Sequence, residues 1–176
     1  MPRSTAEHGV SAAPSVRPRL SIIIPSLDDC EPLERLLCQL QSQQGPDLEV
    51  IVADGGSRDA TREVCEARGA LCLSAAQGRG RQMNVAAARA SGEVLLFLHA
   101  DSTLPDRGFL SRALDAFDDA LSRSTETVAG HFSLRFRRRA HARRNVFAYR
   151  CMEEKSQLNR PDTINGDQGL LIGRTF

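Results

Sequence analysis

The 176-residue chain sets 23 Lys and Arg against 22 Asp and Glu, for a formal net charge of +1, with 41% apolar and 26% charged residues. That is the size and balance of one domain with a sizeable core. Its longest apolar runs are about a strand long, far short of the ~20 residues that a membrane span needs.

Residues 1 to 19 are rich in Ser, Ala, Pro and Arg without periodicity and predict a loose tail. They lack the apolar stretch of a signal peptide, so the expected location is cytoplasmic. Leu20-Ser21-Ile22-Ile23-Ile24-Pro25 is a β-branched run closed by proline, a first strand. Asp28 or Asp29 can cap the next helix, in which Pro32 suits the first turn. Leu33, Leu36, Leu37 and Leu40 then recur at helical spacing, and Gly45-Pro46 ends the pattern. A second strand runs from Leu48 to Ala53. Asp54-Gly55-Gly56-Ser57-Arg58-Asp59 follows at once, with glycines that permit tight turning and close approach of a ligand.

Asp59 is placed to cap a helix over Ala60 to Arg68, and Ala70 to Leu73 predicts a strand. Gly78-Arg79-Gly80-Arg81-Gln82-Met83-Asn84 opens an alanine-rich helix that ends by Gly92. Two arginines beside the free N–H groups of a helix start form a natural anion site. Val94 to Leu98 is an apolar run buried on both faces, the centre of a parallel sheet, and it leads into His99-Ala100-Asp101. Read alone, Asp101 suits either a cap of the turn Ser102 to Pro105 or a hard divalent cation.

Asp106 is expected to cap a helix that buries Leu110, Ala113, Leu114, Phe117 and Leu121. A strand follows at Val128 to Phe136, and the chain closes with Gly166-Asp167-Gln168-Gly169 and Leu170-Leu171-Ile172. Strands alternating with helices predict a single α/β domain over residues 20–176, with a mostly parallel central sheet and right-handed crossovers.

Residues 135 to 160 hold nine basic and two acidic side chains, six of them arginines between Arg135 and Arg144. A solvated helix face, an anionic acceptor and an anionic membrane surface all suit such a run. Nucleic acid is not expected, because no binding motif accompanies the cluster. The five cysteines lack CxxC spacing and the four histidines are scattered, so free thiols in a reducing compartment are expected rather than zinc. No GxGxxG follows the first strand, and no P-loop is present.

In this order, Ser21 to Pro25, Val52 to Ser57, Gly78 to Asn84 and Leu96 to Asp101 resemble family 2 glycosyltransferases of the GT-A fold. The Gln-Met-Asn of residues 82 to 84, the Leu-His-Ala-Asp of 98 to 101 and the Gly-Asp-Gln-Gly of 166 to 169 are similar to the radical-SAM/selenodomain-associated transferase 2 subgroup. The resemblance implies inverting transfer of a sugar from a nucleotide-diphosphate sugar to an acceptor hydroxyl. It implies Asp101 as the ligand of Mg²⁺ or Mn²⁺, and Pro25, Asp54, Gly55, Arg79, Arg81, Asn84 and His99 as donor contacts. Asp54 would meet the base, the two arginines the diphosphate, and His99 the ribose. Two departures stand out, since Ala53 and His99 occupy positions that are acidic in many members. The family's usual base motif lies beyond Gly-Asp-Gln-Gly, whereas this chain stops at Phe176. The expectation is therefore a C-terminally incomplete domain that binds donor but turns over poorly, with Asp167 as the candidate base. A nucleotidyltransferase on a similar sheet and a non-catalytic nucleotide-binding module are the alternatives.

Overall fold

The computed structural model describes residues 18–133, 153–154 and 169–174. The tail before residue 18, the Arg135 to Arg144 cluster and Asp167 lie outside them. Within them the elements follow the predicted alternation. They are β1 (Leu20–Ser26), α1 (Cys30–Gln41), β2 (Leu48–Asp54), α2 (Thr61–Ala67), β3 (Leu71–Ser74), α3 (Arg79–Arg89), β4 (Val94–Phe97), α4 (Phe109–Arg123), β5 (Ala129–His131) and β6 (Leu170–Gly173). They build one six-stranded sheet in the order β3-β2-β1-β4-β6-β5.

The strands β1 to β4 are mutually parallel, as expected, with Ser26 opposite Asp54 and Ile23 opposite Phe97. Antiparallel β6 and β5 complete the edge beside β4. Period-two alternation sends Ile22, Ile24, Val52, Val94 and Leu96 to one face and Ile23, Ile51, Ala53 and Leu95 to the other. Both faces are covered, so the strands read as unbroken apolar runs. The first face receives α1, α2 and α4, with Leu33, Leu36, Leu37 and Leu40 all at most 2% exposed. Burying each such leucine contributes about 1.5–3 kcal/mol, as an upper bound. Against the second face lies α3, through Ala86 and Ala90.

Local chemistry moves several expected boundaries. The fourth helix starts at Phe109, because the Asp106 carboxylate closes a turn onto the N–H of Gly108 and pairs with Arg112. Near its far end Leu121 is 49% exposed rather than buried. The central apolar run leaves the ladder at Phe97, and Leu98 donates its N–H to Ile23 instead. Asp29 precedes α1 without capping it by its own side chain. The strand expected over Val128 to Phe136 is described only at Ala129–His131.

At the amino ends of the strands, Glu49 of β2 accepts hydrogen bonds from the Ser21 hydroxyl and from the N–H and hydroxyl of Ser91. Burial pushes its carboxyl up, but these donors outweigh burial and hold it below the usual value. This node fixes the turn between α3 and β4.

Candidate functional site

The sheet order determines where a ligand belongs. The chain runs β1, β2, β3 toward one edge and then returns to lay β4 on the other side of β1. The carboxyl ends of β1 and β4 therefore flank the topological switch point, where ligands bind in open α/β sheets. A cleft of about 220 Å³ opens there. Pro25, Ser26, Leu27 and Asp29 line it from the β1 side, His99, Ala100 and Asp101 from the β4 side, and Arg79 and Gln82 from α3.

Four of the predicted residues line this cleft: Pro25, Arg79, His99 and Asp101. Arg79 is the first residue of α3, where the helix dipole favours an anion. Asp101 is exposed in a turn closed by the N–H of Ser102 bonding to the carbonyl of His99. Its exposed side chain is part of the cleft lining.

The other predicted residues do not line the cleft. Arg81 and Asn84 are exposed farther along α3. Asp54 is 5% exposed, one strand over from Ser26. Its Oδ1 accepts the N–H of Ser57 at 2.9 Å, the Ser57 hydroxyl at 2.6 Å and the N–H of Gly56 at 3.3 Å. Its Oδ2 stands 3.7 Å from the Arg62 guanidinium. The carboxylate is therefore already engaged in shaping the turn after β2. The close approach at Gly55 is made by a side chain of the protein, because a Cβ there would lie 3.1 Å from Nε2 of Gln82.

That turn is tied to the loop after β1. Asp28, with a left-handed φ of 55°, donates its N–H to the Ser57 hydroxyl and accepts the N–H of Arg58 at 2.7 Å. Gly55 donates to the carbonyl of Ser26 at 2.9 Å. Sequence reading missed Ser26, Asp29 and Gln82 as cleft residues. Asp29 passed for a cap, while Gln82 carried one signal, its place one helical turn after Arg79. The Ser26 hydroxyl is buried and has no hydrogen-bond partner, alone in this among the described residues.

A divalent cation fits this donor set in one way. Asp101 and Asp29 offer carboxylate oxygens, and a hard cation can be held by one or two carboxylates when substrate phosphates complete its shell. Among the described residues no three His, Cys, Asp or Glu side chains converge into a cage. The fit is to a cation shared with a substrate.

The cleft thus lies at the switch point of an α/β sheet, beside a helix start and a carboxylate. The Glycosyl transferase family 2 model matches residues 21–171, and the chain belongs to that family. A relative from Campylobacter jejuni, named GalNAc(5)-diNAcBac-PP-undecaprenol beta-1,3-glucosyltransferase, is 28% identical over 155 residues, covering 84% of this chain and 48% of its own. A mannosyltransferase from Pyrobaculum calidifontis, solved with GDP-Man and Mn²⁺, superposes with a TM-score of 0.59 at 22% identity, covering 94% of this chain and 47% of its own. Glucosyl-3-phosphoglycerate synthase from Mycobacterium tuberculosis, solved with Mn²⁺, UDP and glucosyl-3-phosphoglycerate, gives a TM-score of 0.59 at 20% identity, covering 90% and 57%. The fold is thus that of the GT-A glycosyltransferases. The chain spans about half the length of these relatives.

Proposed function

We propose that this domain holds a nucleotide-diphosphate sugar in the cleft between β1 and β4 and transfers the sugar, with inversion, to an acceptor hydroxyl. The observation that carries this reading is the meeting of Arg79, His99 and Asp101 in one cleft at the switch point of the sheet. Bound Mg²⁺ or Mn²⁺ would supply neutralisation of the charge that develops on the leaving diphosphate. Asp101 would hold that ion, with Asp29 as the second available carboxylate. Arg79 and the N–H groups at the start of α3 would take phosphate oxygens, and His99 would hydrogen-bond the ribose. Asp54 and Gly55 shape the neighbouring turn on the side where the resemblance sets the base, while Arg81 and Asn84 flank the phosphate side. The relatives' Mn²⁺ and nucleotide complexes support the cofactor and donor class.

The Gly166 to Gly169 motif nominates Asp167 as the acceptor-side base, which must come within hydrogen-bond reach of the hydroxyl. The lipid-linked name of the Campylobacter jejuni relative favours Arg135 to Arg144 as a contact for an anionic acceptor or membrane surface. Sedimentation with anionic vesicles, compared with neutral ones, tests that contact. Among the described residues no helix is long and apolar enough to cross a membrane.

Calorimetric titration of UDP and GDP with and without Mn²⁺ tests the donor site. Metal-dependent binding that is lost in Asp101→Ala is expected. Binding unaffected by both changes would sink the reading.

A further inference from the structure

Gln82 is 4% exposed and stands on the first turns of α3, three residues after Arg79. Its Nε2 donates to the carbonyl of Ser26 and to the carbonyl of Ala53, each at 2.8 Å. Its Oε1 accepts the N–H of Gly78 at 3.3 Å, and its own N–H bonds to the carbonyl of Gly78 at 3.0 Å. A primary amide has two N–H donors in one plane, so it can satisfy two carbonyls on adjacent strands at once. One side chain therefore joins the tip of β1, the tip of β2 and the residue that opens α3.

Space for this amide depends on Gly55, where a Cβ would lie 3.1 Å from Nε2 and 3.3 Å from Cδ. The amide is neutral and brings no charge to compete with a phosphate. Residues three apart on a helix share a face, and Arg79 and Gln82 line the same cleft. Simple filling of the core would need only an apolar side chain of similar volume. The three polar bonds point to alignment.

We propose that Gln82 is a positioning residue for the donor diphosphate, acting through Arg79. Its amide fixes the first turn of α3 against the ends of β1 and β2, and so sets where the guanidinium meets the phosphates. This rests on the donor-site reading above. Gln82→Met keeps the volume and loses the alignment.

The test is a double-mutant cycle on the full chain, with UDP and GDP titrated in the presence of Mn²⁺ and thermal melts recorded for every variant. Gln82→Met should weaken nucleotide binding about tenfold, and Arg79→Met at least as much. The double variant should bind no more than about twofold more weakly than Arg79→Met alone, because the two residues act as one unit. Losses that add in the double variant, or unchanged affinity in Gln82→Met, would overturn the proposal, since a purely structural glutamine has no reason to be silent once Arg79 is gone. Should Gln82→Met not fold, Gly55→Ala takes its place, with the same coupling expected. A wild-type chain that binds neither nucleotide overturns the donor-site reading itself, and this is seen before any variant is compared.

Discussion

The carboxylate of Asp59, in the loop after β2, accepts the N–H of Cys30 at 2.9 Å, so a side chain that follows one strand caps the helix that follows its neighbour. The other oxygen takes the N–H of Thr61 at 3.1 Å and its hydroxyl at 2.6 Å, at the start of α2. One residue thus serves the starts of two helices. Asp59→Ala should cost about 1–2 kcal/mol, the usual scale for losing a cap, read from urea unfolding at neutral pH.

The same carboxylate predicts acid sensitivity. The Thr61 hydroxyl and the Cys30 and Thr61 N–H groups outweigh burial and hold its pKa at about 2. An unfolded aspartate titrates near 3.9. A depressed native pKa contributes stability that is complete above the unfolded value and is lost as pH falls toward 2. Unfolding midpoints measured between pH 5 and pH 2 should fall less steeply in Asp59→Asn than in the wild type. Parallel slopes would refute the assignment.

By the resemblance, His99 takes a position that is acidic in many family members. An imidazole adds no negative charge, so the cleft should grip a divalent cation less tightly than a two-carboxylate site would. His99→Asp should tighten Mn²⁺-supported UDP or GDP binding about tenfold, measured by calorimetry at fixed nucleotide. Weaker binding would mean that losing the proposed imidazole–ribose bond outweighs the added negative charge.

The unpartnered hydroxyl of Ser26 gives a prediction of opposite sign. A buried donor without a partner costs about 1–3 kcal/mol. Removing it in Ser26→Ala should raise stability by about 1 kcal/mol, seen as a higher urea midpoint with an unchanged slope. A loss of stability would show that the hydroxyl has a partner in solution.

Gly92 lies at the opposite end of the sheet from the cleft. A Cβ there would sit 2.7 Å from the nitrogen of Ser21 and 3.0 Å from the carbonyl carbon of Leu20, both backbone atoms that cannot rotate aside. Gly92→Ala should therefore destabilise by about 2–3 kcal/mol, read from thermal melts. Nucleotide affinity of the folded fraction should be unchanged.

The strands β1, β2 and β4 and the helix α1 were legible in the sequence because their cause is local. A strand covered on both faces must be apolar throughout, and Leu33, Leu36, Leu37 and Leu40 repeat at the period of the helix they form. The site was legible where a residue type carries its own chemistry, as with Arg79 and Asp101. Gln82 was not, because a polar side chain on an early helical turn ordinarily faces water. Its burial arises only when three segments distant in sequence converge. Asp54 likewise reads as a free carboxylate until Ser57 and Gly56 fold back onto it. The antiparallel β6 escaped for the same reason, since pairing partners and strand order are set by the whole chain.

The bonds that join Asp28 to Ser57 and Arg58, and Cys30 to Asp59, make the loops after β1 and β2 a single stiff lip. A lip already immobilised has little conformational entropy left to surrender when a ligand arrives, so its contribution to affinity comes with small ordering losses.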